Sequence, residues 1–187
     1  MTSMSSQAPL IPRLVPTPLT PIESSRTSDA HAFLETIDRV EINHAVERDG
    51  VVFYVLDVFL KHHSSRIPTN TQSESRSQPD YRVVHLFRDF ADLRYQVWSY
   101  AQRRHSSARS CSYCDEYMRF IIRSLSQPRR LLRIGTSVAK WKVLLTTFCN
   151  EFIRMALGSS KASRSRHPCN GHSAIPHIME AFLRQRF

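Results

Sequence analysis

Two groups of residues in this 187-residue chain have types and spacings suited to chemistry, a cysteine pair and a set of arginines. Cys111-Ser112-Tyr113-Cys114 separates two thiols by two residues, which lets both thiolates face one cation, and His105 or Cys149 could complete a tetrahedral structural zinc site. Two other readings of the pair stay open. Redox chemistry requires a helix N-terminus that lowers a thiol pKa, and simple burial is suggested because Cys114 continues an apolar stripe with Met118 and Ile121. Elsewhere catalytic chemistry is thin. His62-His63 has no acidic partner close in sequence, and Asp89 and Asp92 suit the start of a helix. No Ser-His-Asp elbow appears, and a chain with only 4 glycines has little capacity for phosphate-cradling loops. A protein without catalytic activity is expected.

The charge is unevenly distributed. Residues 1–30 hold two basic and two acidic groups, residues 31–81 five and eight, residues 82–142 thirteen and four, and residues 143–187 six and two. The third segment, at net +9, is the most basic, and residues 143–187 add +4 against −3 over residues 31–81 in the chain's total of +10. Such a segment concentrates phosphate-rich headgroups, nucleic acids or acidic partners near it. A multiply charged phosphate headgroup needs several guanidinium or ammonium groups at one small site, because charge-assisted contacts must replace strong hydration. Candidates are Arg82, Arg88, Arg103, Arg104, Arg109, Arg119 and Arg123, with Arg88 and the cluster Arg103, Arg104 and Arg109 preferred. The competing reading has Arg88 paired with Asp92 at helical spacing and the others simply solvated. Nucleic acid is disfavoured as a partner, since neither exposed base-stacking aromatics nor a dedicated helix motif is evident. No run approaches the ~20 apolar residues of a membrane span, and Met1 to Leu10 lacks a secretory pattern. A soluble cytoplasmic protein is expected, with cysteines reduced or bound to metal.

These groups must be positioned by a fold whose elements are legible in the periodicity. Residues 1–32 read as a disordered Pro/Ser/Thr-rich tail. From Val40 a two-residue alternation predicts a strand, Asp49-Gly50 a hairpin turn, and Val51 to Leu60 the return strand. Lys61 to Asp80 reads as a long polar loop, and Tyr81 to Phe87 as a third strand. The period then changes. Phe90, Leu93, Val97 and Ala101 predict a helix from about Asp89, taken as N-cap, to Arg104. Cys114, Met118, Ile121, Ile122 and Leu125 predict a second helix, and Trp141 to Met155 a third that Gly158 should end. The fold class is therefore α+β, a three-stranded antiparallel sheet followed by a helical subdomain over residues 33–157. Residues 158–187 read as a basic linker and a short C-terminal helix that docks on the domain.

The order of elements, together with the junction His85-Leu86-Phe87-Arg88-Asp89-Phe90-Ala91-Asp92-Leu93, resembles the phox-homology (PX) family of phosphoinositide-binding modules. Phe87, Asp89, Phe90 and Leu93 match that family's strand-to-helix pattern in type and spacing, and the resemblance extends from Val40 to about Leu157. It implies a PX-like adaptor, peripheral on endosomal or other intracellular membranes, that binds a phosphoinositide-containing surface and offers its tails to protein partners. It implies a headgroup site with Phe87 as the ring beneath the inositol. The charges around it would be Arg88, Arg103, Arg104 and Arg109, preferred above on charge alone, with Arg119 one turn beyond Cys114 and Asp115, where a further family arginine is missing. The sequence departs from the family where an arginine should meet the 3-phosphate, which is Leu86 here, and it lacks the proline-rich membrane loop. A scaffold that keeps the fold and has lost lipid recognition is the alternative.

Overall fold

In the computed structural model, which describes residues 22–61, 78–102, 111–128, 136–162 and 169–184, the sheet begins as a hairpin. Strands β1 (Ile37–Arg48) and β2 (Val51–Leu60) meet at Asp49-Gly50, whose φ angles of 51° and 73° are both positive. This is the backbone twist that a two-residue hairpin loop needs, and Gly50 adopts it without steric cost. Strand β3 (Tyr81–Leu86) pairs antiparallel with β2, giving the order β1-β2-β3. A register shift between Glu41 and His44 gives β1 an extra residue there, a bulge that bends the strand.

Five helices accompany the sheet among the described residues, an α+β arrangement, as the periodicity predicts. They are α1 (Ile22–Thr36), α2 (Phe87–Ala101), α3 (Ser112–Arg123), α4 (Val138–Ala162) and α5 (Asn170–Leu183). Helix α2 starts at once where β3 ends. Leu86 is its N-cap, and Asp89, expected in that place, lies three residues further on, where its Oδ2 accepts the Leu86 N–H at 2.7 Å. The apolar stripe of α2, Phe87, Phe90, Leu93, Val97 and Ala101, is buried. It joins Tyr117 and Ile121 of α3 and Trp141, Leu145, Phe148 and Phe152 of α4 in one core. Inside that core the Tyr117 hydroxyl donates to the Phe152 carbonyl at 3.0 Å, so a fully buried phenol remains hydrogen-bonded.

Two local expectations differ from the structure, and a third agrees with it. Part of the segment read as disordered tail is helical: α1 begins at Ile22, ahead of the boundary drawn at residue 33. The run from Ser24 to Asp29 offers no apolar stripe, but Ala30 and Leu34, four residues apart, are fully buried and α1 packs on α5. Tertiary contact outweighs weak local preference there. Helix α4 also continues through Gly158, the expected stop, to Ala162. One glycine costs a helix only about 1 kcal/mol, less than the packing of six turns supplies. The C-terminal helix docks as expected: α5 contacts α1, α2, α3 and α4 and is part of the core. No described helix is long and apolar enough to cross a membrane.

Candidate metal centre and the expected headgroup site

Helices α3 and α5 begin in the same way. Cys111 is the N-cap of α3 in extended geometry (φ −81°, ψ 150°), and its Sγ accepts the Cys114 N–H at 3.4 Å. Cys169 is the N-cap of α5 (φ −76°, ψ 163°), and its Sγ accepts the His172 N–H at 3.4 Å. A cysteine thus occupies the capping role usually held by Ser, Thr, Asp or Asn, and each sulfur faces the positive end of a helix dipole. Packing of α5 on α3 brings the two caps together.

The sulfurs form one group. Cys111 Sγ lies 3.4 Å from Cys169 Sγ, Cys114 Sγ lies 3.5 Å from Cys169 Sγ, and all three fall within 4.8 Å of one another. None is in a disulfide. Cys114 is buried and the other two are half-buried. Burial, reinforced for Cys114 by the hydrogen bond to Cys169, pushes the Cys114 and Cys169 thiols above their ordinary pKa. Three thiolates gathered without a cation would repel one another, whereas a bound divalent ion deprotonates coordinating thiols outright. The group could hold a metal such as zinc. Gly171 makes the convergence sterically feasible: a Cβ there would stand 2.6 Å from Cys114 Sγ.

The pair Cys111 and Cys114, read from the sequence, does come together, but with Cys169 as the third sulfur. Cys149 is fully buried within α4, outside this group, where burial alone pushes its thiol pKa up. His105 lies outside the described residues. Cys169 was hidden in what reads as basic linker. The available signal was Cys169-Asn170-Gly171-His172, which repeats the two-residue spacing of Cys111 and Cys114.

The residues expected to form a headgroup site are placed differently. Phe87 is only 5% exposed, and its ring packs edge-on against Trp141 at 4.7 Å between centroids. It is a core residue and presents no open face to an inositol ring, a correction that follows from its position on the buried stripe of α2. Arg88, the next residue, points the other way: its side chain is 71% exposed, with Nε 3.7 Å from Asp89 Oδ1. Arg119 is exposed on α3, its Nε donating to the Asp115 carbonyl at 3.4 Å. Arg103, Arg104 and Arg109 lie outside the described residues. Arg82, also a candidate, donates from Nε to Asp57 Oδ1 at 2.7 Å.

A groove of 790 Å³ does open beside β3, between α2 and α5. It is lined by residues of both signs, Arg82 and Arg184 against Asp89 and Asp92, together with His85 and Val84. The carboxylates would oppose a phosphate. Comparison with protein-family models, curated proteins and solved structures found no match. The class that fold and site define is therefore an α+β domain with a three-thiol cluster joining two helix starts.

Proposed function

We propose that this chain is a non-catalytic PX-like adaptor that adheres to anionic, phosphoinositide-bearing membrane surfaces through the basic connection between α2 and α3. The observation that carries the reading is the net +9 charge of residues 82–142, thirteen basic groups against four acidic. The exposed Arg88 and Arg119 side chains and the order of strands and helices are in keeping with it. Because Phe87 is in the core, the reading rests on peripheral electrostatics, at about 1 kcal/mol for each basic group near the surface, and not on a stacked sugar. Zinc on Cys111, Cys114 and Cys169 has a structural role in this proposal, bracing the starts of α3 and α5 where the basic connection ends.

Vesicle flotation of the full chain tests the reading. Binding is expected to vesicles containing phosphatidylserine or phosphoinositides and not to neutral phosphatidylcholine. It should disappear near about 1 M salt, where the Debye length is about 3 Å. Replacing Arg103, Arg104 and Arg109 together by Ala should abolish it. Failure to float with anionic vesicles at low salt would refute membrane adhesion.

The alternative is a protein-interaction scaffold, favoured by one observation. The groove beside β3 offers opposite charges around Val84, which is 54% exposed, a surface suited to a polypeptide more than to a phosphate. That reading predicts a purified binding partner whose affinity falls at least tenfold on Val84→Glu, with vesicle binding absent.

A further inference from the structure

A structural zinc site is almost always closed by four protein ligands, and three thiols leave one position to fill. His172 holds the place in α5 that Cys114 holds in α3, three residues beyond the capping cysteine. In both helices the capping sulfur accepts the N–H of that residue at 3.4 Å. The two helix starts are therefore copies of one ligand device, Cys-x-x-Cys in α3 and Cys-x-x-His in α5.

The surroundings of His172 support the parallel. Its Nδ1 is buried without a hydrogen-bond partner, as are both ring nitrogens of His31. The His172 ring stands 5.1 Å from the Tyr113 ring, between the two cysteines of α3 in sequence, and 5.7 Å from the His31 ring. Buried polar atoms without partners are uncommon, and a concentration of them beside three thiols marks a place where a ligand group is needed. The thiols alone make the tight group, so coordination by His172 requires its imidazole to turn toward them. Cys149 is committed to the α4 core and cannot compete.

We infer that His172 is the fourth ligand of a Cys3His zinc site formed by Cys111, Cys114, Cys169 and His172, a site that fastens the C-terminal helix to the start of α3. The inference rests on the zinc reading above and adds the ligand that closes the site. Its consequence is mechanical: α5 is held by metal at its N-terminus and by packing along the rest of its length.

Metal analysis of the full chain, purified under reducing conditions and reloaded with Zn²⁺ or Co²⁺, tests both levels. One zinc per chain is expected, and cobalt should give the absorption of a tetrahedral site with three thiolates and one nitrogen. His172→Ala should weaken zinc by more than the about 10- to 100-fold typical of an outer-shell change. His172→Cys should retain tight binding, with cobalt bands moved to lower energy as a fourth sulfur enters. His31→Ala should leave the cobalt spectrum in place. A wild-type chain that takes up neither metal, or whose mass shows a Cys111–Cys169 disulfide, would overturn the zinc reading and this inference together. Metal uptake with an unchanged affinity and spectrum in His172→Ala, or loss of the nitrogen signature in His31→Ala instead, would overturn the His172 assignment alone.

Discussion

The side chain of Asn150 bonds to both backbone groups of Val40: its Oδ1 accepts the Val40 N–H at 3.0 Å, and its Nδ2 donates to the Val40 carbonyl at 2.7 Å. One turn earlier on α4, Thr146 Oγ1 accepts the Ile42 N–H at 3.0 Å, and two turns earlier Lys142 Nζ donates to the Asn43 carbonyl at 2.7 Å. The outer edge of β1 is thus satisfied by side chains of a helix, at positions where another strand would otherwise pair. An open edge invites association with other chains, so α4 both completes the core and protects the sheet.

Asn150→Ala should destabilise the domain by about 2 kcal/mol, because a buried N–H and a buried carbonyl lose their partners together. Urea unfolding followed by far-ultraviolet circular dichroism measures it. A midpoint equal to that of the parent, with an unchanged slope, would show that water or a rearranged strand replaces the amide at no cost.

The docking of α5 rests on aromatic contacts as well as on the thiol cluster. Phe182 stacks on His85 with ring centroids 4.0 Å apart and planes 9° from parallel, and it meets Phe90 edge-on at 5.2 Å. Phe182→Ala should cost about 3 kcal/mol, and hydrogen exchange should show α5 amides losing protection ahead of the sheet. Uniform loss of protection across the domain would argue that α5 is not a separate unit.

Two glycines should respond to alanine with opposite signs. A Cβ at Gly171 would stand 2.6 Å from Cys114 Sγ, so Gly171→Ala should lower both thermal stability and metal affinity. Gly158 lies within α4 with nothing within 4 Å of an added Cβ, and Gly158→Ala should stabilise by about 0.5–1 kcal/mol. Melting temperatures that move in the same direction would contradict one of these placements.

Asp57 is 3% exposed in the middle of β2, with Arg82 Nε 2.7 Å from its Oδ1 and Asn43 Nδ2 3.4 Å from its Oδ2. Removing the arginine leaves a buried carboxylate with a single weak donor. Arg82→Ala should therefore destabilise by about 1–3 kcal/mol, and Asp57→Asn in the same chain should recover part of that loss. Additive losses in the double-mutant cycle would mean the pair does not interact.

Burial pushes the Tyr81 phenol from its ordinary pKa of 10 up to about 12. The unfolded chain begins to lose that proton near pH 10 while the fold holds it to about pH 12, so the associated stability is complete below pH 10 and lost across that interval. The Tyr81 hydroxyl has no hydrogen-bond partner, so Tyr81→Phe removes the titration without removing a bond. Unfolding free energy measured from pH 9 to 12 should fall less steeply in that variant. Identical slopes would place the alkaline sensitivity elsewhere.

The sheet was legible in the sequence because its determinants are local. Alternation along Val40 to Val46, the Asp49-Gly50 turn and the β-branched run from Val51 encode a hairpin without help from the remainder of the chain. The stripes of α2, α3 and α4 were legible for the same reason, since residues that share a helix face recur within four positions. Cys111 and Cys114 were likewise a visible pair at fixed spacing.

What the tertiary structure decided involves residues far apart in the chain or the direction of a single side chain. Helix α1 has almost no apolar stripe of its own and is fixed by what Ala30 and Leu34 touch. Phe87 and Arg88 are neighbours in the motif, yet a helical step of about 100° sends the first into the core and the second into solvent. Cys169 joins Cys111 across 58 residues of sequence only because α5 packs on α3 and Gly171 leaves space for the sulfur of Cys114. Local periodicity fixes elements because it is written in short-range sterics and burial, whereas a ligand set drawn from two helices exists only once the packing of those helices brings it together.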